Sequence, residues 1–375
     1  MTVLDFLIGN SIINFICVLL IFSVTLYNYK YLYSEKERGT GYLVLWLVLT
    51  IYSVFYAPTH GDNYASLESY NEYLSGVDEN YLHFESLYFR IMDYLPYGYV
   101  AWRLVIWGVG SLLLVLYVKW MEFDVHVATI ALLFFTLPLL YYQRAIIGYV
   151  LLYFGLSMLI KLIDEHGKLL KKSRLLLFAI ICIAAALPFH NSMPFYAFII
   201  IASFFLPHNR TLFIICLIAS IVLSVTDLGT LFLSYTSEDT QRTAEYYLED
   251  AKVGKSANLF GFIEQVFMYA PYYVMLAYCA WNINSGKLRF TSYEKVILTN
   301  AMLLILVSFA YSTTSSVIQG KFYTASLLPW GLFLTSFYSR NKYNKVARNF
   351  AKWSLYAFLG LLLIRISSGS IMSVI

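Results

Sequence analysis

Apolar segments long enough to cross a membrane recur along this chain from beginning to end, and this repetition limits its possible folds more than any other feature. A helix of about 20 apolar residues spans the ~30 Å hydrocarbon core of a bilayer. The pattern predicts an all-α fold, a polytopic transmembrane bundle of about twelve helices that forms a single membrane domain over residues 1–375. Several segments are short for a full crossing, so tilt, re-entrance or a merged pair stays open. The predicted spans are 3–27, 41–57, 98–120, 126–142, 145–161, 174–189, 192–207, 211–226, 259–282, 295–312, 322–338 and 350–368.

The composition argues against a soluble domain. Hydrophobic residues make up 60% of the chain and charged residues only 13%, whereas about a quarter of the residues in a soluble domain are charged. The net charge of +4 is too small to indicate nucleic acid as a partner. The four cysteines lie inside apolar segments without the spacing of a metal site, so we interpret them as packing residues. The first apolar run lacks a basic region before it and a cleavage site, so we expect it to remain as a helix.

Lysine and arginine are distributed unevenly between alternate loops, and this asymmetry predicts the orientation of the bundle. The cytoplasmic loops of membrane proteins carry an excess of these residues. If both termini are extracytoplasmic, 18 of the 26 lysines and arginines fall in cytoplasmic loops. The eight that do not are Arg90, Arg103, Arg144, Arg242, Lys252, Lys255, Lys321 and Arg365.

This orientation leaves two substantial loops outside the membrane, at about residues 58–97 and 227–258. Both loops are rich in Asp and Glu and hold aromatic residues at helical spacing. We therefore expect them to contain short amphipathic helices that lie on the membrane surface. No internal repeat is evident, which weakens the case for a transporter built from inverted repeats.

The eight cations outside the positive-inside pattern are the first candidates for a site, because a charge near hydrocarbon is costly and usually functional. Arg144 and Lys321 each stand at the start of a predicted helix. Cations gathered at the outer face would bind an anion such as a lipid diphosphate. For Arg103 and Arg365 the favoured interpretation is that the side chain extends to phosphate headgroups.

Four further candidates could accept a proton or orient a substrate. His190 lies between two apolar spans, and a histidine there is suited to general base catalysis. His60 and Asp62 follow the second span, and Glu85 lies five residues before Arg90. The alternative for each is a satisfied polar group or a solvated loop residue. The known short motifs of nucleotide-binding enzymes, zinc proteases and serine hydrolases are missing, as is the Asp-x-Asp of metal-dependent glycosyltransferases.

Taken together, four short motifs in this order resemble the EpsG/Wzy family of bacterial polysaccharide polymerases, over roughly residues 40–340. The resemblance implies a membrane glycosyltransferase of the GT-C type, without a metal or other cofactor. One departure from the family is Lys321, because a late helix in such proteins often begins near an arginine. The matching motifs are Gly61-Asp62-Asn63-Tyr64, Glu85 with Phe89-Arg90, Gln143-Arg144-Ala145 and Phe189-His190-Asn191-Ser192, with a partial match at Gln241-Arg242.

The resemblance also implies the reaction and the site. The enzyme would join oligosaccharide repeat units carried on undecaprenyl diphosphate, at the extracytoplasmic face of the bacterial inner membrane, to make O-antigen, exopolysaccharide or capsule. His190, Asp62 and Glu85 are the expected catalytic residues. A chain-length regulator and a flippase of the same pathway are expected partners beside membrane lipids. The expected residues for binding the diphosphate or the glycan are Arg144, Arg90, Lys321, Arg242, His60 and Tyr64.

Three alternatives remain open from the sequence. An O-antigen-ligase-like or other lipid-linked-sugar glycosyltransferase differs from a polymerase only in its acceptor, which the sequence does not identify. A flippase or transporter predicts charges deep in the bundle. A non-enzymatic membrane scaffold leaves the outer arginines unexplained.

Overall fold

A computed structural model describes ten helices and the short turns between some of them. The described residues are 11–31, 38–55, 98–136, 145–164, 169–189, 193–225, 277–282, 289–310 and 316–341, with the single residues 274, 345, 349, 352 and 356. The helices are α1 (Ser11–Tyr31), α2 (Arg38–Phe55), α3 (Gly98–Trp120), α4 (Val125–Thr136), α5 (Ala145–Asp164), α6 (Leu169–Ala186), α7 (Met193–Phe205), α8 (Arg210–Val225), α9 (Ser292–Ala310) and α10 (Ser316–Asn341). A single 3-10 turn, Leu187–Phe189, follows α6.

The predicted all-α class is confirmed for the described residues, which include no strand. Helix α3 has the predicted bounds, and the other helices begin and end within a few residues of most predicted spans. Of the predicted span 259–282, residues 274 and 277–282 are described as helical. The span 350–368 and the two loops predicted to be extracytoplasmic fall almost wholly outside the described residues, so the count of twelve helices stays a prediction.

Within the part of the chain that the structure describes, five helices are long and apolar enough to cross a membrane, as a multi-pass membrane protein requires. They are Ile12–Tyr31, Tyr99–Trp120, Ile146–Asp164, Lys171–Phe189 and Ser292–Ala310. Three shorter apolar helices are Thr40–Phe55, Met193–Phe205 and Arg210–Leu223. Many side chains on these helices are both large and exposed, such as Leu104, Leu112 and Leu116 on one face of α3. Exposed apolar stripes of this kind are suited to a lipid environment.

The chain divides into two compact units by its internal packing. The first comprises Met1–Ile201 with Leu334–Ile375, and the second comprises Ala202–Phe333. That both form one membrane domain stays a prediction.

In the first unit, the ends of several helices meet at what we call the basic end. There the start of α2 packs on the start of α4: a Cβ on Gly41 would be 3.0 Å from Val125. Asn28, near the end of α1, hydrogen-bonds His126, also at the start of α4. At the end of α3, the ring of Trp120 lies under Lys161 of α5. The helix ends that meet here, together with the start of α6, carry the cations that define the basic end. These cations are Lys30, Lys119, Lys161, Lys171, Lys172 and Arg174.

In the second unit, α9 packs along α8 and most of its side chains are buried. Its first turn is fixed by a capping box, which satisfies backbone donors that a helix start leaves open. The Glu294 backbone N–H donates to the Thr291 hydroxyl (3.2 Å), and the Thr291 N–H donates to the Glu294 carboxylate (2.9 Å). The Thr-x-x-Glu pattern in the sequence is the signal for this helix start.

Candidate functional site

Most of the predicted site residues lie outside the part of the chain that the structure describes. Lys321 is the exception, since its backbone is within α10, in the second turn and not at the helix start as predicted. The predicted residues outside the described part are His190, Asp62, Glu85, Arg144, Arg90, Arg242, His60 and Tyr64.

Helices α5 and α6 form an antiparallel hairpin with a seam of small residues. Gly148 and Gly155 lie two turns apart on α5, and Ala179 and Ala186, both fully buried, lie two turns apart on α6. A Cβ on Gly155 would be 2.7 Å from Ile183 Cγ1 and 3.1 Å from the Ala179 carbonyl oxygen. Small residues at such a seam let two membrane helices approach closely.

At one end of this hairpin, the start of α5 meets the end of α6. A Cβ on Gly148 would be 2.7 Å from Met193 Sδ, 3.2 Å from the Ala186 carbonyl oxygen and 3.2 Å from Phe189 Cβ. Gly148 is within the first turn of α5, which begins at Ala145, the residue after Arg144. Phe189 is the residue before His190. The described chain neighbours of the two strongest predicted site residues thus lie at the same end of the hairpin.

An aromatic pair also joins the first turns of α5 and α7. The rings of Tyr149 and Tyr196 lie 4.9 Å apart between centroids, and both side chains are buried. A tilted pair at this distance contributes about 0.5–1.5 kcal/mol beyond its buried area. The starts of α5 and α7 are therefore held together by rings as well as by the Gly148–Met193 approach.

This end of the hairpin is recessed relative to α3. A Cβ on Gly110, near the middle of α3, would be 3.1 Å from Ile146 Cγ2 at the start of α5. Further along both helices Tyr117 hydrogen-bonds Ser157, so α3 and α5 run parallel. About ten residues of α3, or about 15 Å, therefore continue past the start of α5. The length of helix α4 is consistent with this recess, because its 12 residues rise only about 18 Å from the basic end.

Arg103 lies in the part of α3 that continues past the start of α5, and its side chain does not extend to the surface as the sequence favoured. Its side chain is 1% exposed. The Nε group donates to the Val54 carbonyl at 2.6 Å, and Nη2 donates to the Ser53 carbonyl at 2.6 Å. The guanidinium also lies 5.6 Å from the centroid of the Tyr99 ring. The sequence signal for this contact was an arginine one turn from the start of a predicted helix, with the end of the preceding predicted helix as a possible partner.

At the basic end, a polar pair that sequence reasoning did not single out joins α1 and α4. His126 Nδ1 lies 2.8 Å from Asn28 Oδ1, and Asn28 Nδ2 donates to the Val24 carbonyl at 2.8 Å. Because the Asn28 amide nitrogen is committed to Val24, its oxygen accepts and His126 Nδ1 carries the proton. Asp124 caps the same helix, accepting the backbone N–H of His126 at 3.0 Å and of Val127 at 3.2 Å. The His126–Asn28 contact thus anchors α4 to α1, and Asp124 fixes the first turn of α4.

In the second unit, His208 lies in the short loop that follows α7 and is withdrawn in part from solvent. Its Nδ1 lies 3.1 Å from the hydroxyl of Thr299 on α9, and the residue is half-buried. Burial, and then the positive charge of Lys295, lower the pKa of His208 below its ordinary value. The next helix begins at Arg210, whose guanidinium lies 4.4 Å from the centroid of the Trp281 ring. His208 is thus a packed residue of this unit.

Within the described residues, no group of three or more His, Cys, Asp or Glu side chains is placed to hold a metal ion. The four cysteines are free thiols, with Cys17 and Cys279 buried as expected of packing residues.

Comparison with known proteins gives no relative from which a function could be transferred. No protein-family model, no curated protein and no solved structure matches this chain.

Proposed function

We propose that this chain is a polysaccharide polymerase that joins oligosaccharide repeat units carried on polyprenyl diphosphate. The proposal starts from the motif resemblance to the EpsG/Wzy family. One structural observation supports it: the packing of Gly148 against Phe189 and Met193 brings the neighbours of Arg144 and His190 to one end of the α5–α6 hairpin. Residues 46 positions apart in sequence can serve one reaction only if the fold brings their surroundings together.

The proposal includes a bundle of about twelve helices in a bacterial inner membrane, with both termini extracytoplasmic. In this arrangement the basic end of the first unit faces the cytoplasm, in agreement with the positive-inside rule. The recessed end of the α5–α6 hairpin then opens toward the extracytoplasmic side, as do the two acidic loops at about 58–97 and 227–258. Lipid-linked repeat units would be joined on that side.

The reaction is a glycosyl transfer. The bond between the anomeric carbon and the diphosphate oxygen of the donor breaks, and a bond forms between that carbon and a hydroxyl oxygen of the acceptor. The hydroxyl proton goes to a base, and polyprenyl diphosphate leaves with the electron pair. The chemistry thus requires cations at the leaving group and a base near the acceptor.

In the proposed site, Arg144 binds the diphosphate together with Arg90 or Lys321. His190 or Asp62 acts as the base, and Glu85 orients an arginine or the acceptor. Arg242, His60 and Tyr64 contribute to binding the diphosphate or the glycan. The recessed level of Ala145 and Phe189 favours this assignment, because a cation attracts a diphosphate more strongly where the dielectric constant is lower than in water.

Alanine substitution tests this assignment. Arg144→Ala and His190→Ala are each expressed in glycan-producing cells that lack the wild-type copy, and polymer length is read on a gel. We expect single repeat units in place of a ladder, a loss of about 100-fold or more, because a leaving-group cation or a general base each contributes at least this much. Arg174→Ala, at an exposed position of the basic end, is the matched control and keeps the ladder.

Membrane content of each variant is measured by immunoblot, so that loss of protein is distinguished from loss of activity. Wild-type polymer from both site variants would refute the assignment of the site. A ligase is recognised by a different result: polymer of normal length accumulates on the polyprenyl carrier and is not transferred to its final acceptor.

A further inference from the structure

One face of helix α1 is exposed and apolar, and it ends in a lysine at the basic end. Leu19, Leu26 and Lys30 are all exposed, and their spacing of seven and four residues places them on the same face of the helix. The opposite face carries Asn28, which bonds His126 of α4 inside the unit. A lipid acyl chain that lies along Leu19 and Leu26 therefore brings its headgroup to Lys30.

Tyrosines accompany Lys30 in the last turns of α1. The rings of Tyr27 and Tyr31 lie 4.7 Å apart between centroids, and Tyr27 is exposed. The Lys30 Nζ lies 5.9 Å from the centroid of the Tyr31 ring. Tyrosines are enriched where a membrane helix passes from the hydrocarbon to the headgroups. These neighbours indicate that Lys30 lies at the level of the lipid phosphates.

A second lysine is brought to this level from the C-terminal part of the chain. The hydroxyl oxygens of Tyr29 and Tyr356 are 2.6 Å apart, and their ring centroids are 5.9 Å apart. Lys352, four residues before Tyr356, has its Nζ 5.5 Å from the centroid of the Tyr356 ring. Tyr356 thus contacts both Lys352 and Tyr29, which is the chain neighbour of Lys30. We call Tyr29, Lys30, Lys352 and Tyr356 the headgroup cluster.

The charge of this cluster is not balanced by nearby carboxylates. Among the residues that the structure describes, the charged-group contacts of Lys30 and Lys352 are with tyrosine rings, and neither ammonium group pairs with Asp or Glu. A lysine binds phosphate as a compact charge with three donors. Two such groups beside an exposed apolar stripe match a molecule that has both a phosphate and an acyl chain.

We propose that the headgroup cluster binds the phosphate of an anionic phospholipid, with the acyl chains along Leu19 and Leu26. Lys30 and Lys352 supply the charge, and the Tyr29–Tyr356 contact keeps the two lysines on adjoining helical segments. The bound lipid would join α1 to the C-terminal part of the chain. The inference goes beyond the glycosyl transfer and does not depend on it, because it requires only a bilayer that contains anionic lipid.

The test titrates the purified full chain in detergent with phosphatidylglycerol or phosphatidylcholine and counts bound lipids by native mass spectrometry. We expect the wild type to bind phosphatidylglycerol more tightly. The double variant Lys30→Gln, Lys352→Gln is expected to lose about fivefold in affinity for each lysine, since one cation near a membrane surface contributes about this factor. The matched control, Lys171→Gln with Lys172→Gln, removes two charges of the basic end on α6 and keeps the preference.

Two further variants separate charge from packing. Lys30→Arg with Lys352→Arg keeps both charges and is expected to keep the preference for phosphatidylglycerol. Tyr29→Phe removes the hydroxyl contact and keeps the ring, so the affinity should fall about fivefold or less. If the double glutamine variant fails to accumulate in membranes, Lys352→Gln alone, with an expected loss of about fivefold, takes its place.

Three results overturn the proposal. Equal affinity of the wild type for the two lipids means that the cluster does not select an anionic headgroup. An equal loss in the glutamine variant and in the α6 control means that phosphatidylglycerol responds only to the total charge of the basic end. Competition by inorganic phosphate as strong as that by an equal concentration of anionic lipid assigns the cluster to a soluble anion.

Discussion

His208 illustrates how a polar residue in a short loop can be withdrawn from water. Its ring bonds Thr299, and burial and Lys295 together lower its pKa from the ordinary value of 6.5. The unfolded chain then binds a proton at His208 more readily than the folded chain does. The free energy of unfolding that depends on neutral His208 is fully present above about pH 6.5. It decreases as the pH falls below this value toward the pKa of His208 in the folded chain.

We therefore predict that His208→Gln reduces the loss of stability in acid. Thermal unfolding in detergent is measured at about pH 7.5 and about pH 5.5, a range that includes the ordinary histidine pKa. The decrease in Tm between the two is expected to be smaller in the variant, because glutamine cannot be protonated. An equal decrease in both proteins would mean that His208 does not contribute to the acid sensitivity.

At the scale of helices, the seam between α5 and α6 depends on two glycines. A Cβ on Gly155 would come within 3.1 Å of the backbone oxygen of Ala179, which cannot rotate away, and within 2.7 Å of Ile183. We predict that Gly155→Ala lowers the free energy of unfolding by about 1–3 kcal/mol, the usual effect of overpacking. Unfolding of the purified protein in mixed micelles of increasing SDS content measures the change.

The matched control is Gly108→Ala on α3. The nearest atom to its added Cβ is Thr50 Cγ2 at 4.0 Å, an ordinary contact, and alanine favours a helix over glycine by about 1 kcal/mol. This variant should be as stable as the wild type or slightly more so. Equal destabilisation by both substitutions would show that the seam has no special need for glycine.

Gly148→Ala tests whether the recessed end of the α5–α6 seam has a role in activity that the rest of the seam does not have. The added Cβ is close to Met193 and Phe189, so it displaces the residues next to His190. We predict that Gly148→Ala, at equal membrane content, reduces polymer formation more than Gly155→Ala does. A gel of polymer length compares the two, and equal polymer from both would contradict a site at the recessed end.

The same elements show what the sequence can and cannot predict. Helix α3 was predicted with its observed bounds because a long apolar run, interrupted only by Arg103 among charged residues, ends at Lys119 and Trp120. The contacts of Arg103 and His208 were not predictable, since hydropathy does not reveal which helix end or side chain lies opposite. The recess at Ala145 was not predicted: the short length of several spans left tilt, re-entrance or a merged pair open. Pairing between helices is a property of the folded chain, and a single sequence does not record it.

At the scale of the whole molecule, the cations of the basic end predict sidedness. In a background with the four cysteines replaced by alanine, Gly167→Cys lies in the basic loop between α5 and α6, and Ser75→Cys lies in the first acidic loop. We predict that a membrane-impermeant maleimide labels Ser75→Cys in intact cells and labels Gly167→Cys only after permeabilisation. The reverse pattern would invert the bundle and place the recessed end on the cytoplasmic side.

The central claim is that this chain alone polymerises lipid-linked repeat units at the recessed end of the α5–α6 hairpin. The most direct measurement reconstitutes the purified protein in vesicles with a polyprenyl-diphosphate-linked repeat unit and a chelator, and follows chain length and released polyprenyl diphosphate together. The account predicts that chains of two or more units form, that one polyprenyl diphosphate is released for each new linkage, and that Arg144→Ala and His190→Ala abolish both products. Neither chain extension nor diphosphate release by the wild-type protein, with substrate present in the bilayer, would contradict it.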